Sequence, residues 1–166
     1  MVRFGIIGTS CISDKFVEAL KTIKKCKVTA VYSRSVEKGD YFATKHDIET
    51  IYLSLEEMAE SQKVDAVYIA SPNGLHPSQA IKMMENGKHV ICEKAIAPTV
   101  KELDEMIKTA RENNVVLMEA MRPTLNPNFR IIKENLEKIG PVRGITASYC
   151  QYSSRYDKFK KGIIEN

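Results

Sequence analysis

The sequence predicts an α/β fold built on a doubly wound parallel sheet, from three observations. Short apolar runs alternate with helical patterns from the start of the chain. One run, Val64 to Ala70, is so continuous in Val, Tyr and Ile that it suits burial on both faces. Three of the runs end in polar or turn-forming groups: Gly5-Ile6-Ile7-Gly8, Ala70-Ser71-Pro72-Asn73-Gly74-Leu75-His76 and Cys92-Glu93-Lys94-Ala95. Parallel strands of one sheet would aim those three endings at a common crevice.

Each element follows in order. Val2 to Ile7 reads as the first strand, and Phe16, Ala19, Leu20 and Ile23, spaced i, i+3, i+4 and i+7, predict the buried face of the next helix. Val28 to Tyr32 is the second strand, followed by a polar helical pattern from Ser35 to Lys45. Ile51-Tyr52-Leu53 makes a brief third strand, and Ser54 with Glu57 forms a capping box that opens a short helix through Glu60. After the fourth strand, Val64 to Ala70, residues 77 to 86 form a helix that Asn86-Gly87 terminates, glycine being free to take a positive φ. His89 to Cys92 is the fifth strand. Thr99 and Glu102 cap a long helix with Val100, Leu103, Ile107 and Ala110 on its apolar face, and Val115 to Met118 is the sixth strand. Six strands with intervening helices satisfy a dinucleotide-binding sheet.

The pattern changes after residue 120. Asn126-Pro127 predicts a helix running to Lys138, because proline at the first helical position loses no needed hydrogen bond, and Gly140-Pro141 ends it. Residues 142 to 152 alternate partly in phase and read as one long strand of a different sheet. The expected domains are therefore residues 1–121, a dinucleotide-binding Rossmann domain, and residues 122–166, the truncated start of an α+β substrate and oligomerisation domain. The tail from Ser153 is basic and polar.

Composition narrows the function classes. The chain has 166 residues, 43% of them hydrophobic, which suits one full core and the start of a second. Its net charge of +4 comes from 25 basic and 21 acidic residues that are interspersed, which argues against a nucleic-acid footprint. Cysteines 11, 26, 92 and 150 lack CxxC or zinc spacing and read as free thiols in a reducing cytosol; no metal site is expected. There is no basic leader and no apolar run of membrane-spanning length, so the expected protein is soluble and cytoplasmic.

Four segments carry chemistry. In Gly8-Thr9-Ser10-Cys11-Ile12-Ser13 only the first of the three fingerprint glycines is present, with small serines at the other two, and the helix start would still offer N–H groups to a pyrophosphate. Ser33-Arg34-Ser35 ends the second strand without the acid that favours NAD; a guanidinium flanked by hydroxyls suits a 2′-phosphate, so NADP is expected over NAD. Read alone, either segment is also an ordinary turn and a solvated arginine. Ser71, Pro72, Asn73 and His76 form the third, explained as a turn and helix cap apart from the histidine, which would stand beside the cofactor. In the fourth, Lys94 at a strand end could polarise a hydroxyl or carbonyl, with Glu93 as its charge partner. Cys92, inside an apolar strand, reads as a small hydrophobe rather than a nucleophile.

Together, Gly5-Ile-Ile-Gly8, Tyr32-Ser33-Arg34-Ser35, Ser71-Pro72-Asn73 with His76, and Glu93-Lys94 resemble in order and spacing the Gfo/Idh/MocA family of NAD(P)-dependent oxidoreductases, named for glucose-fructose oxidoreductase, inositol dehydrogenase and rhizopine catabolism. The resemblance covers nearly the whole chain. It implies hydride transfer between nicotinamide C4 and a hydroxyl- or carbonyl-bearing carbon of a small polyol, sugar or related substrate, and a homo-oligomer when the second domain is complete. Lys94 falls on the lysine of the family's Glu-Lys-Pro motif, which touches substrate and nicotinamide ribose, and His76 joins it as a catalytic candidate. The implied cofactor set is Gly8, Thr9, Ser10, Cys11, Ile12, Ser33, Arg34, Ser71, Pro72, Asn73, His76, Glu93 and Lys94.

The chain departs from that pattern. Ser10 replaces the second fingerprint glycine and Ala95 the motif proline. Glu119-Ala120-Met121 resembles the segment that, in dihydrodiol-dehydrogenase-like members, leads through aromatic residues and an arginine to a proline; Pro127 keeps the last position, while Arg122, Thr124, Leu125 and Asn126 supply no aromatics. The second-domain histidine of the family, often paired with an aspartate, has no counterpart after Tyr149, and Asp157 has no histidine near it. Two other readings therefore stand beside the oxidoreductase. One is a dinucleotide-binding module without turnover, and the other an interaction protein whose strand from residue 142 pairs with another chain.

Overall fold

The computed structural model describes residues 1–153 and 156–162. Residues 154, 155 and 163–166 of the expected basic tail lie outside the described residues. The chain divides into two compact units, Met1–Ala120 and Met121–Asn166.

The first unit is a six-stranded parallel sheet in the order β3-β2-β1-β4-β5-β6. Its strands are β1 (Val2–Ile7), β2 (Cys26–Tyr32), β3 (Thr50–Tyr52), β4 (Ala66–Ile69), β5 (His89–Cys92) and β6 (Leu117–Glu119). The connecting helices are α1 (Cys11–Lys21), α2 (Val36–His46), α3 (Leu55–Glu60), α4 (His76–Glu85) and α5 (Val100–Glu112). Strand order reverses between β1 and β4, which pair with Phe4 opposite Ala66 and Ile7 opposite Ile69.

Two apolar layers clamp the sheet. On one face Ile7, Val67, Ile69 and Val90 pack with Met58 of α3, Met83 and Met84 of α4, and Met106 of α5. On the other face Ile6, Val31 and Tyr68 pack with Val17 of α1 and Phe42 and Ala43 of α2. All four residues of β4 are buried, as a central parallel strand covered on both faces requires. Ser54 caps α3 as expected, accepting from the Glu56 and Glu57 N–H groups, and Ser35 caps α2 by accepting from the Lys38 N–H.

Three expectations need correction. Helix α1 buries Ser13, Val17 and Leu20, while Ala19 is exposed and Ile23, beyond the helix end, is 48% exposed. Similarly, α5 buries Met106, Thr109 and Ala110 and leaves Val100 exposed at its first turn. A 3.6-residue period leaves the rotation of the stripe ambiguous by one residue, and packing on the twisted sheet chooses. Strand β6 begins two residues later than expected, because the Val116 N–H donates to His89 Nδ1 at 3.0 Å instead of entering the ladder at its own level.

The second unit holds α6 (Pro127–Asn135), capped by Asn126, whose side chain accepts from the Asn128 N–H. It also contains 3-10 turns over Arg122–Leu125 and Leu136–Ile139 and a short helix α7 (Tyr156–Lys160). The strand expected over residues 142–152 is not formed; the backbone there carries no regular structure. A strand needs a neighbour to take its N–H and C=O groups, and none of the described residues supplies one.

Candidate active site

The site is built where β1 meets β4. The chain leaves β1 through Gly8, whose φ of 103° lies in the left-handed region. A Cβ at Gly8 would stand 2.8 Å from the Ala70 carbonyl oxygen, so only glycine lets this turn approach the end of β4 so closely. The switch of strand order at this point opens a crevice beyond the carboxyl ends of the strands. Its volume is ≈ 1050 Å³, with Gly8, Thr9 and Ser10 on the β1 side and Ala70, Ser71 and Pro72 on the β4 side.

The open start of α1 survives the two glycine replacements. Ser10 is the N-cap of α1 but makes no side-chain capping bond, which leaves the first N–H groups of the helix for an anion. Ser13 is fully buried, and its hydroxyl donates to the Gly8 carbonyl at 2.8 Å. A hydrogen bond thus ties the turn to the helix where the fingerprint would use close packing of a third glycine. A dinucleotide therefore fits this turn on its donors, at the head of a crevice that Gly8, Thr9 and Ser10 border.

Beyond β2 the chain folds on itself. The Ser33 hydroxyl donates to the Ser35 carbonyl at 2.8 Å, and the Ser35 N–H donates back to Ser33 Oγ at 3.2 Å. This small ring exposes Arg34, which borders the same crevice as Ser33 and Ser35. Lys38 and Tyr41 of α2 border it too, and neither was anticipated. The signal for Lys38 was present in the sequence: it lies four residues after Arg34 and three after the capping Ser35, on the opening turn of the helix. Gln79 of α4 was also missed; it is buried, borders the crevice and accepts from the Ser71 hydroxyl at 2.6 Å.

The other expected residues take separate places. Cys11 and Ile12 lie in the first turn of α1, and Asn73 in a 3-10 turn before α4; these three, like His76, Glu93 and Lys94, do not border the crevice. His76 opens α4 and is fully buried, with Nδ1 2.9 Å from the Ala95 carbonyl and Nε2 2.9 Å from the Ser71 carbonyl. The ring joins the segment after β4 to the segment after β5.

Glu93 and Lys94 follow β5, and the expected pairing of their charges is not found. Glu93 Oε1 accepts from the Tyr68 hydroxyl at 2.7 Å, and Oε2 accepts from the Lys94 backbone N–H at 3.3 Å. Tyr68 is buried and stacked on Phe16 with ring centroids 3.8 Å apart, so its hydroxyl needs an acceptor inside the protein. The Lys94 side chain is exposed and has no ion pair among the described residues, as its hydration permits. The Lys94-Ala95 peptide is cis. Beside it, Cys92 is buried, and its thiol is pushed up to about 12 by that burial and then by the charges of Glu93 and Glu119. Among the described residues no helix is long and apolar enough to cross a membrane, and no group of three His, Cys, Asp or Glu side chains suits a metal.

Comparison with known proteins adds to this geometry. The chain is 55% identical, over all of its 166 residues, to scyllo-inositol 2-dehydrogenase (NADP(+)) IolU of Bacillus subtilis, covering 51% of that protein. It is 34% identical over 151 residues to the trans-1,2-dihydrobenzene-1,2-diol dehydrogenase of Xenopus tropicalis, 89% of this chain and 46% of that one. Among solved structures, the 3-ketoreductase KijD10 of Actinomadura kijaniata, in complex with TDP-benzene and NADP, matches with a TM-score of 0.78 and 28% identity, over 82% of this chain and 42% of that one. The chain spans about half the length of the curated relatives it matches. Residues 2–121 match the model of an oxidoreductase family with an NAD-binding Rossmann fold, so the chain belongs to the Gfo/Idh/MocA oxidoreductase family.

Proposed function

We propose that this chain forms the cofactor-binding half of an NADP(H)-preferring oxidoreductase acting on a CH–OH or C=O group of a small polyol, sugar or related substrate. The observation that carries the reading is the crevice at the β1/β4 switch, with a helix start at one end and Arg34 with Lys38 at the other. The cofactor supplies, at nicotinamide C4, the hydride acceptor or donor. The α1 N–H groups and the turn at Gly8, Thr9 and Ser10 bind the pyrophosphate, while Ser33, Arg34 and Lys38 receive the phosphorylated ribose. Ser71 and Pro72 wall the crevice on the β4 side. Lys94 is the catalytic residue: its exposed ammonium donates to the reacting oxygen, polarising a carbonyl or holding a hydroxyl. The names of the similar inositol and dihydrodiol dehydrogenases support the substrate class.

A fluorescence titration with NADPH and NADH tests the reading. Tighter binding of NADPH is expected, and Arg34→Ala should weaken NADPH by about tenfold or more while changing NADH little. Equal, weak binding of both cofactors would overturn it. A second reading, a dinucleotide-binding module without turnover, draws on the Lys94 ammonium having no proton-relay partner among the described residues. Normal NADPH binding with no hydride exchange onto any polyol, even in a chain extended through a second domain, would favour it.

A further inference from the structure

The four residues after β5 have no regular secondary structure, yet side chains from three other elements hold their polar groups. Tyr68 of β4 donates to the Glu93 carboxylate at 2.7 Å. His76 of α4 stands 2.9 Å from the Ala95 carbonyl. Glu119, the last residue of β6, accepts from the Ile96 N–H at 3.1 Å. The one peptide group between Ala95 and Ile96 is thus anchored from opposite directions, at its carbonyl by His76 and at its amide by Glu119. Lys94 immediately precedes this anchored pair. Its own side chain makes no ion pair among the described residues, so the backbone alone determines where the ammonium starts from.

We propose that His76 and Glu119 are positioning residues for Lys94: together they brace the Ala95-Ile96 backbone and thereby set the direction in which the lysine leaves the sheet. The proposal rests on the reading of Lys94 given above and assigns a role to Glu119, which does not border the crevice. Geometry makes the brace stiff. Glu119 is opposite Cys92 in the β5–β6 register, and the Ala120 N–H donates to the Cys92 carbonyl at 2.7 Å, so the carboxylate stands on a strand tied to the one that carries Lys94. His76 is fully buried, and its other ring nitrogen faces the Ser71 carbonyl at 2.9 Å, which ties the brace to the wall of the crevice. The bond from the Ile96 N–H to the Glu119 carboxylate is charge-assisted and so stronger than one between neutral groups.

Two measurements on the 166-residue chain test this. The first is hydrogen exchange of the Ile96 amide without cofactor. Glu119→Ala should speed it about tenfold or more, and Glu119→Gln, which keeps an acceptor, should bring it back to within about threefold of the wild type. The second is the NMR signal of Lys94 after reductive 13C-methylation of the lysines, assigned with Lys94→Arg. Added NADPH should move this signal in the wild type and move it differently in Glu119→Ala and His76→Gln, with the NADPH affinity of Glu119→Ala within about threefold of the wild type. Because His76 is fully buried and its variant could fail to fold, the half-buried Glu119 carries the decision. Unchanged Ile96 exchange and an unchanged Lys94 response in Glu119→Ala would overturn the proposal. So would a general loss of stability and affinity that Glu119→Gln does not rescue, since that marks a purely structural role. A wild-type Lys94 signal that ignores bound NADPH would instead overturn the reading of Lys94 itself.

Discussion

The Tyr68 hydroxyl donates to Glu93 Oε1 at 2.7 Å, so a buried aromatic ring on β4 holds the carboxylate that the sequence places beside Lys94. This relationship separates the two members of the Glu-Lys pair. Tyr68→Phe keeps the ring stacked on Phe16 and removes only the donor. We expect the variant to lose about 1.5–3 kcal/mol of stability in urea denaturation, the cost of a hydrogen bond to a charged group. A change of less than a few tenths would show that water replaces the tyrosine without loss.

Gly8→Ala brings two penalties at once. The residue has a φ of 103°, and its new Cβ would meet the Ala70 carbonyl oxygen at 2.8 Å. A destabilisation of about 2 kcal/mol or more is expected from thermal unfolding, together with loss of NADPH binding as the turn moves away from β4. Retained affinity in a destabilised protein would separate the turn from the cofactor site.

Acid should weaken the opposite end of the sheet. Asp65 accepts from Arg3 Nε at 2.9 Å and from the Arg3 backbone N–H at 2.9 Å, and these bonds, the side-chain one first, lower its pKa to about 2. The folded state thus holds the proton less tightly than the unfolded chain. The resulting stability is present above the ordinary carboxylate range and is lost as pH falls through about 4 toward 2. Both side chains are more than one-third solvent-exposed, so Asp65→Asn should cost only about 1 kcal/mol at pH 7. The cost should vanish as pH approaches 2 in a series of urea titrations.

Thiol chemistry should distinguish the cysteines by burial. Cys92 is buried with its pKa at about 12, whereas Cys11 and Cys150 are exposed. Iodoacetamide at pH 8 should modify Cys11 and Cys150 in the folded protein and reach Cys92 only in denaturant, as read by peptide mass. Fast labelling of Cys92 in the folded chain would contradict the packing of β5.

Much of the sheet was legible because its signals are local. Strands β1 and β5 fall at the expected residues, since an apolar run bounded by turn signals needs no knowledge of its neighbours. The same is true of the Ser54, Thr99 and Asn126 caps, each set by a side chain within three residues of the N–H it accepts. Gly8 was legible as a turn, although the carbonyl that requires it, Ala70, lies 62 residues away.

What the sequence determined by itself was the alternation of elements, their caps and the strand ends that carry Gly8, Arg34, Ser71 and Lys94, all of which depend on residues close along the chain. Only the tertiary structure decided which face α1 and α5 bury, where β6 starts, and that residues 142–152 form no strand without a pairing edge. It also decided the partners of the polar groups. Glu93 goes to Tyr68, His76 to two carbonyls on different segments, and Glu119 to the Ile96 amide. These bonds span between 5 and 25 residues of chain, and three of the four reach the segment that follows β5. A buried polar group takes whichever partner the packed sheet brings within 3 Å, and that choice exists only once the strands lie side by side.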